Sequence, residues 1–274
     1  MKLRIAGRYE RMKKSMPELP EVETLCRQLK KVIVNTEVQE LVILDSKLNH
    51  VGRLVGWQIL SVRRRGKFLE LGFENGEILN LHLRMSGRLL WQRHQDALPV
   101  HTRFQISFSQ GRIICIDPRR FATLSLQKRQ DCAPPIADPL KNFHAPSLKK
   151  TAQGRQLPVK SFLLDQNTIA GIGNIYACEI LHRAFMSPWR KAGSLSLKEW
   201  QRVAAAGLCI LRKATACRGT SVSDWLDLQG KKGEYQNHLT VYGRAGCACP
   251  HCGEKVQRMV LSGRGTYFCP SCQK

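Results

Sequence analysis

With 274 residues there is room for about two domains, and a hydrophobic content of 43% is enough to build real cores. Lysine and arginine number 44 against 21 acidic residues, a formal charge of +23, which suits a polyphosphate partner such as nucleic acid. A membrane-surface protein could be equally basic, but the sequence has no run of about 18 apolar residues and no lipidation signal.

Residues 1–15 carry Lys2, Arg4, Arg8, Arg11, Lys13 and Lys14 against the single acid Glu10, with no apolar stretch of a secretory kind. Most of the charge excess therefore lies in the rest of the chain. We expect Met16 to be the true initiator, since the block Pro17-Glu18-Leu19-Pro20-Glu21-Val22-Glu23-Thr24 stands directly after it. Trimming a methionine before the small residue Pro17 would leave a secondary amine at the chain terminus beside a carboxylic acid. An α-amino group has an ordinary pKa of about 7.7–8.0, so much of it is unprotonated near neutral pH. Such an amine can attack an aldehyde-level carbon and form an iminium. Taken as structure alone, the same residues are a helix start, with Pro20 near the first turn and acids close behind.

From Glu21 to Ile33, apolar residues recur at helical spacing through Val22, Leu25, Cys26, Leu29, Val32 and Ile33. Short β-rich runs come next at Trp57–Val62, Lys67–Phe73, Ile78–His82, Gly87–Trp91, Phe104–Phe108, Ile113–Ile116 and Phe121–Leu126, a pattern that predicts an antiparallel sandwich or barrel. From Asp131 to Pro158 the chain is polar and proline-rich, which reads as a connection; helical periodicity then runs through Arg218. Within that half, Gly171 and Gly173 precede a helix beginning near Asn174, an arrangement equally suited to tight packing and to anion binding.

The eleven cysteines fall into two groups. Cys26, Cys115, Cys132, Cys178, Cys209 and Cys217 are scattered and read as reduced core thiols of a cytosolic protein. Five crowd the last 28 residues, where Cys249-Pro-His-Cys252 and Cys269-Pro-Ser-Cys272 are separated by sixteen residues. That spacing suits one tetrahedral zinc with four thiolates, a closed and therefore structural site; a disulfide pair is the alternative. Cys247 is a spare thiol.

The N-terminal block resembles formamidopyrimidine-DNA glycosylase, a bacterial base-excision family, and further motifs extend the likeness across residues 16–274. Arg63-Arg64-Arg65-Gly66-Lys67, His82-Leu83-Arg84-Met85-Ser86-Gly87, Asp117-Pro118-Arg119-Arg120-Phe121, the glycine turn before Asn174 and Ser262-Gly263-Arg264-Gly265-Thr266 are similar to family motifs in the family's order. Leu19 and the intact Asp-Pro-Arg-Arg-Phe loop favour this branch over the related endonuclease VIII branch.

The resemblance implies a glycosylase and lyase for 8-oxoguanine and formamidopyrimidines in duplex DNA. It implies Pro17 as nucleophile, Glu18 as the acid that opens the sugar, and Glu21 as an ordering residue. Lys67, His82, Asn174 and Arg264 are expected on backbone phosphates, with Lys67 and Arg264 counted in the catalytic set. Met85, Arg119 and Phe121 are expected to enter the duplex and fill the space of the flipped nucleotide. Read as residues alone, Met85 and Phe121 could equally be core. Glu179 is expected to support its helix, and Gly219-Thr220-Ser221-Val222 to belong to a loop closing over the extruded base.

The expected fold is α+β and multidomain: an N-terminal antiparallel β-sandwich with a flanking helix, then a helix-two-turn-helix domain and a zinc-finger β-hairpin. Expected boundaries are an extension over 1–15, a catalytic domain over 16–133, a linker over 134–157, the helical domain over 158–240 and the hairpin over 241–274. The expected protein is cytoplasmic, monomeric, bound to double-stranded DNA and loaded with one zinc on Cys249, Cys252, Cys269 and Cys272. If residues 1–15 stay attached, the alternative is a zinc-containing protein that senses lesions without cutting.

Overall fold

The computed structural model describes residues 16–128, 137–222 and 224–274. The expected extension over 1–15, Cys132 and the start of the expected connection lie outside the described residues. Two compact units divide the chain: residues 16–128 fold with Arg218–Gly233, and residues 137–217 fold with Glu234–Lys274.

The first unit opens with α1 (Leu19–Ile33), whose second residue, Pro20, sits where a missing N–H costs no helical bond. Eight strands come after it: β1 (Glu40–Ile43), β2 (Ile59–Arg65), β3 (Phe68–Phe73), β4 (Glu77–His82), β5 (Arg88–Gln92), β6 (Thr102–Phe108), β7 (Gly111–Ile116) and β8 (Thr123–Lys128). They pair antiparallel in two four-stranded sheets, ordered β1-β6-β7-β5 and β2-β3-β4-β8. Strict alternation of half-buried and buried residues along β3 marks one face turned to the core. Val22, Leu25, Leu29 and Ile33 of α1 join Val62, Leu69, Leu79, Leu89, Phe104 and Phe108 in one hydrophobic cluster.

Seven of the strands answer the seven predicted runs with ends shifted by a few residues, while β1 adds an eighth. Lys67 does not open a strand. It is the second residue of a two-residue loop between Arg65 and Phe68, whose first residue, Gly66, has φ +60°.

The second unit contains α2 (Ala145–Ala152), α3 (Val159–Leu164), α4 (Asn174–Arg183), α5 (Leu197–Ala216) and the hairpin β9 (Gln257–Leu261) with β10 (Arg264–Phe268). The predicted connection therefore holds a helix, which Pro146 does not break because it lies in the first turn. Cys209 is exposed on α5, outside the stripe of Trp200, Val203, Gly207, Ile210 and Leu211, and is not a core thiol.

The largest departure from expectation is Arg218–Gly233, predicted as part of the helical domain. Trp225 and Leu228 sink into the sandwich cluster, and the Leu228 carbonyl accepts from the Trp91 amide at 2.8 Å. The Gln28 side chain, on α1, receives the Leu228 amide and donates to Asp227 and Gln229. No helix among the described residues is long and apolar enough to cross a membrane.

Candidate functional site

Pro17 and Glu18 are buried at the N-terminus of α1. The Glu18 amide donates to Glu21 Oε2 at 2.9 Å, while Glu21 Oε1 accepts the Thr220 amide at 2.7 Å. One buried carboxylate thus fastens the helix start to the returning segment 218–233. Gly219, at φ +84°, makes that approach possible, since a Cβ there would lie 2.7 Å from Glu21 Oε1.

Lys67 is buried close to His82, the last residue of β4, whose ring packs edge-on to Phe68 with centroids 4.5 Å apart. Burial, then the charges of Arg84 and Lys67, push the His82 pKa down to about 4. Its Nδ1 accepts the Arg84 amide at 2.9 Å, so the neutral ring carries its proton on Nε2 and offers a donor there.

Met85 stands half-exposed in the turn joining β4 to β5, closed by the Gly87 amide donating to the Leu83 carbonyl at 3.0 Å. Phe121 is also exposed, with the Arg119 guanidinium 4.6 Å from its ring centroid. Neither apolar side chain is core. Beneath them, Asp117 is fully buried and accepts from the Phe121 and Ala122 amides at 2.7 Å, the Arg119 amide at 3.2 Å and the Ser86 hydroxyl. Burial raises its pKa, but these donors outweigh that effect and hold the carboxyl below its ordinary value. Arg103 reaches both Asp45, at 2.6 Å, and the Ala122 carbonyl, at 2.6 Å, while Arg120 pairs with the other side of Asp45.

In the second unit, Gly173 caps α4 and Asn174 begins it. Asn174 Nδ2 donates to the Gly265 carbonyl at 2.9 Å, directly beside the exposed Arg264. Lys160, buried on α3, donates to Thr266 Oγ1 at 2.7 Å, and Ser161 meets Ser262 at 2.9 Å. The hairpin loop is Ser262-Gly263, both at positive φ, as type I′ turns require. Glu179 does more than support its own helix: it accepts the amides of Thr240, Val241 and Tyr242 at 2.8–2.9 Å.

The Sγ atoms of Cys249, Cys252, Cys269 and Cys272 all lie within 4.8 Å of one another. Cys249 and Cys272 are 3.9 Å apart, and Cys252 and Cys269 are 3.5 Å apart. Tetrahedral zinc with bonds of about 2.3 Å sets its sulfurs about 3.8 Å apart, close to both of these distances, so the cluster suits the ion. The site is closed by four thiolates and the zinc is structural. His182 Nε2 lies 3.3 Å from Cys249 Sγ and its Nδ1 2.9 Å from Thr240 Oγ1, tying a zinc ligand to α4. Cys247 lies outside the cluster.

Sequence models of three domains match: the formamidopyrimidine-DNA glycosylase N-terminal domain over residues 16–124, the H2TH domain of the same glycosylase over 136–225, and a zinc finger found in FPG and IleRS over 248–274. The formamidopyrimidine-DNA glycosylase of Desulfitobacterium hafniense is 37% identical over 272 residues, covering 94% of this chain and 100% of that protein. That of Xanthomonas axonopodis pv. citri is 39% identical over 272 residues, with the same coverage. The chain belongs to the formamidopyrimidine-DNA glycosylase family. Among solved structures, a Lactococcus lactis FPG mutant with a Fapy-dG containing DNA superposes with a TM-score of 0.87 at 31% identity, over 94% of this chain and 100% of that one. The Lactococcus lactis Fpg with an abasic site containing DNA gives 0.86 at 31% identity, over 94% and 99%.

The nominated residues divide between the units. Pro17, Glu18, Lys67, His82, Met85, Arg119 and Phe121 belong to the first; Asn174, Arg264 and the four zinc ligands belong to the second. Reading motifs alone missed Asp45, Arg103, Lys160 and His182. The available signal was a lone charge inside an apolar run, as in Thr102-Arg103-Phe104 and Val159-Lys160-Ser161-Phe162.

Proposed function

We propose that this chain removes 8-oxoguanine and formamidopyrimidines from duplex DNA and then nicks the strand by β,δ-elimination. Pro17 nitrogen attacks C1′ of the flipped nucleotide, and the bond from C1′ to the base breaks with loss of the base. Glu18 protonates the sugar ring oxygen, which opens the ring and leaves an iminium between Pro17 and C1′. Successive eliminations release the phosphates on the two sides, and water frees the enzyme. The observation that carries this reading is the junction of Pro17 and Glu18 with a helix start anchored by Glu21 to Thr220.

Lys67, His82, Asn174 and Arg264 bind backbone phosphates, which position the duplex without reading its sequence. Met85, Arg119 and Phe121 enter the space left by the flipped nucleotide. The zinc hairpin presents Arg264. The protein acts as a monomer on double-stranded DNA in the cytoplasm, where thiols stay reduced and able to bind zinc. The work is divided along the expected domains, with 218–233 assigned to the catalytic unit.

This chemistry needs a free proline nitrogen, so the active form begins at Pro17. Borohydride reduction during reaction with 8-oxoguanine DNA should give a covalent complex that maps to Pro17. Mapping to Lys67, or equal cleavage by protein that retains residues 1–16, would overturn the nucleophile. Lesion binding without cleavage by the retained form would mark it as the sensor.

A further inference from the structure

Met85 and the pair Arg119–Phe121 come from two turns separated by the whole of β5, β6 and β7. Two exposed turns on independent supports would wander relative to each other, and a wedge needs all three side chains in place at once. Asp117 removes that freedom. Its Oδ1 takes the Ser86 hydroxyl, from the residue after Met85, and the Arg119 amide; its Oδ2 takes the amides of Phe121 and Ala122. Gly87 completes the seam, because a Cβ there would lie 3.1 Å from the Ala122 Cβ and 2.5 Å from the Leu83 carbonyl.

We propose that Asp117 is a positioning residue that locks the Met85 turn and the Arg119–Phe121 turn into one insertion unit, with Asp45 and Arg103 as its support. The requirement is for a carboxylate and not merely for a polar group. Every neighbour facing Asp117 is a donor, so an amide at this position would turn an NH2 group toward N–H or O–H partners. Arg103 fixes the far side by binding Asp45 and the Ala122 carbonyl together, and Arg120 adds a second cation to Asp45. A buried carboxylate with this many donors is costly to disturb and stiff while intact.

This inference rests on the reading of Met85, Arg119 and Phe121 as residues that enter the duplex. It makes base extrusion depend on Asp117, while bond breaking at C1′ does not. Two variants separate the linkage from the fold: Asp117→Asn disturbs both turns, whereas Ser86→Ala removes only the tie to the Met85 turn. Single-turnover excision of 8-oxoguanine paired with cytosine should fall about tenfold in Ser86→Ala and further in Asp117→Asn, the loss expected when a bond to a charged group disappears.

Borohydride trapping on a pre-formed abasic site should change by no more than about twofold in either, because no base has to be extruded. Adding Met85→Ala to Ser86→Ala should cost almost nothing more, since Ser86 acts through the placement of Met85. Equal losses on both substrates would reduce Asp117 to fold maintenance and sink the proposal, as would full excision by Asp117→Asn. Should Asp117→Asn fail to fold, Ser86→Ala decides alone through the substrate split. Wild-type protein that neither excises nor traps would overturn the glycosylase reading itself, a result that cannot be confused with the others.

Discussion

The Asp117–Phe121 turn of the first unit and the hairpin of the second each present an exposed cation, one from a turn and one from the start of a strand, yet they are held by opposite means. Arg119 sits over a sandwich of eight strands, and its turn is pinned by buried side chains: Asp117, Asp45 and Arg103. Arg264 sits on two strands, of which β9 is exposed along nearly its whole length, with Met259 and Val260 open to solvent. A two-stranded hairpin buries too little to stand by itself. The thiolate cluster below it and the contacts from Lys160 and Asn174 supply what a core would. The lesson is that the first loop is held by several separable side-chain bonds, each of which can be removed alone, while the hairpin depends above all on one thiolate cluster.

The sharpest way to break that contrast is to take the metal away. Structural zinc in small fingers contributes on the order of 10–16 kcal/mol, more than any protein-only contact in the hairpin could replace. Chelation, or Cys269→Ser, should release one zinc per chain and abolish tight DNA binding, while the first unit keeps its own melting transition. Zinc release followed by dye and DNA binding followed by anisotropy check this. Undiminished binding by zinc-free protein would show that the hairpin is held by its protein contacts. His182→Ala should lie between the two, speeding zinc release without emptying the site, because it removes only a neighbour of Cys249.

A smaller effect is expected from the insertion side chains. Extrusion of a stacked base costs a few kcal/mol; under the proposed function Met85 offsets part of that, so Met85→Ala should lose roughly tenfold on paired 8-oxoguanine. On an abasic site the loss should be slight. Lys67→Ala, by contrast, would remove the phosphate contact proposed for it and should weaken both substrates alike and lower the salt dependence of binding. Single-turnover rates on the two substrates distinguish these patterns, and equal losses for Met85→Ala would return Met85 to packing.

How far the sequence could be read depends on how local each feature is. The block at Pro17–Thr24, the strand at Ile78–His82 and the spacing of the four cysteines declare themselves within a few residues. Strand β1 did not, because an edge strand of four residues that is nowhere fully buried shows no alternation. Helix α2 was masked by Pro146, which breaks a helix only beyond its first turn. Arg218–Gly233 comes after a helix yet returns to the sandwich through partners some 200 positions earlier. For the candidate site, motifs name the presenting residues but not their supports. Arg103 meets Asp45 across 58 positions and Lys160 meets Thr266 across 106, and no local pattern encodes such a pairing.

The last expected effect separates the charges of the first unit from one another by pH. His82 has a folded pKa near 4 against an ordinary value of 6.5, because it is buried and faces Arg84 and Lys67. Below pH 6.5 the unfolded chain therefore binds a proton that the folded one refuses, and stability falls as pH drops from 6.5 to about 4. The shift corresponds to about 3 kcal/mol over that window, and no more is lost below it. Asp45 and Asp117 are depressed in the folded state, so they act elsewhere: their contribution is complete above the ordinary carboxylate range and fades only as pH falls through their lower folded values. The two windows meet only near the ordinary carboxylate range. His82→Gln cannot titrate, so denaturant unfolding of the variant should lose less stability than wild type between pH 6.5 and 4, with parallel curves at lower pH. Parallel curves across the whole range would mean that His82 takes up its proton in the folded protein, and that its Nδ1 is not committed to the Arg84 amide.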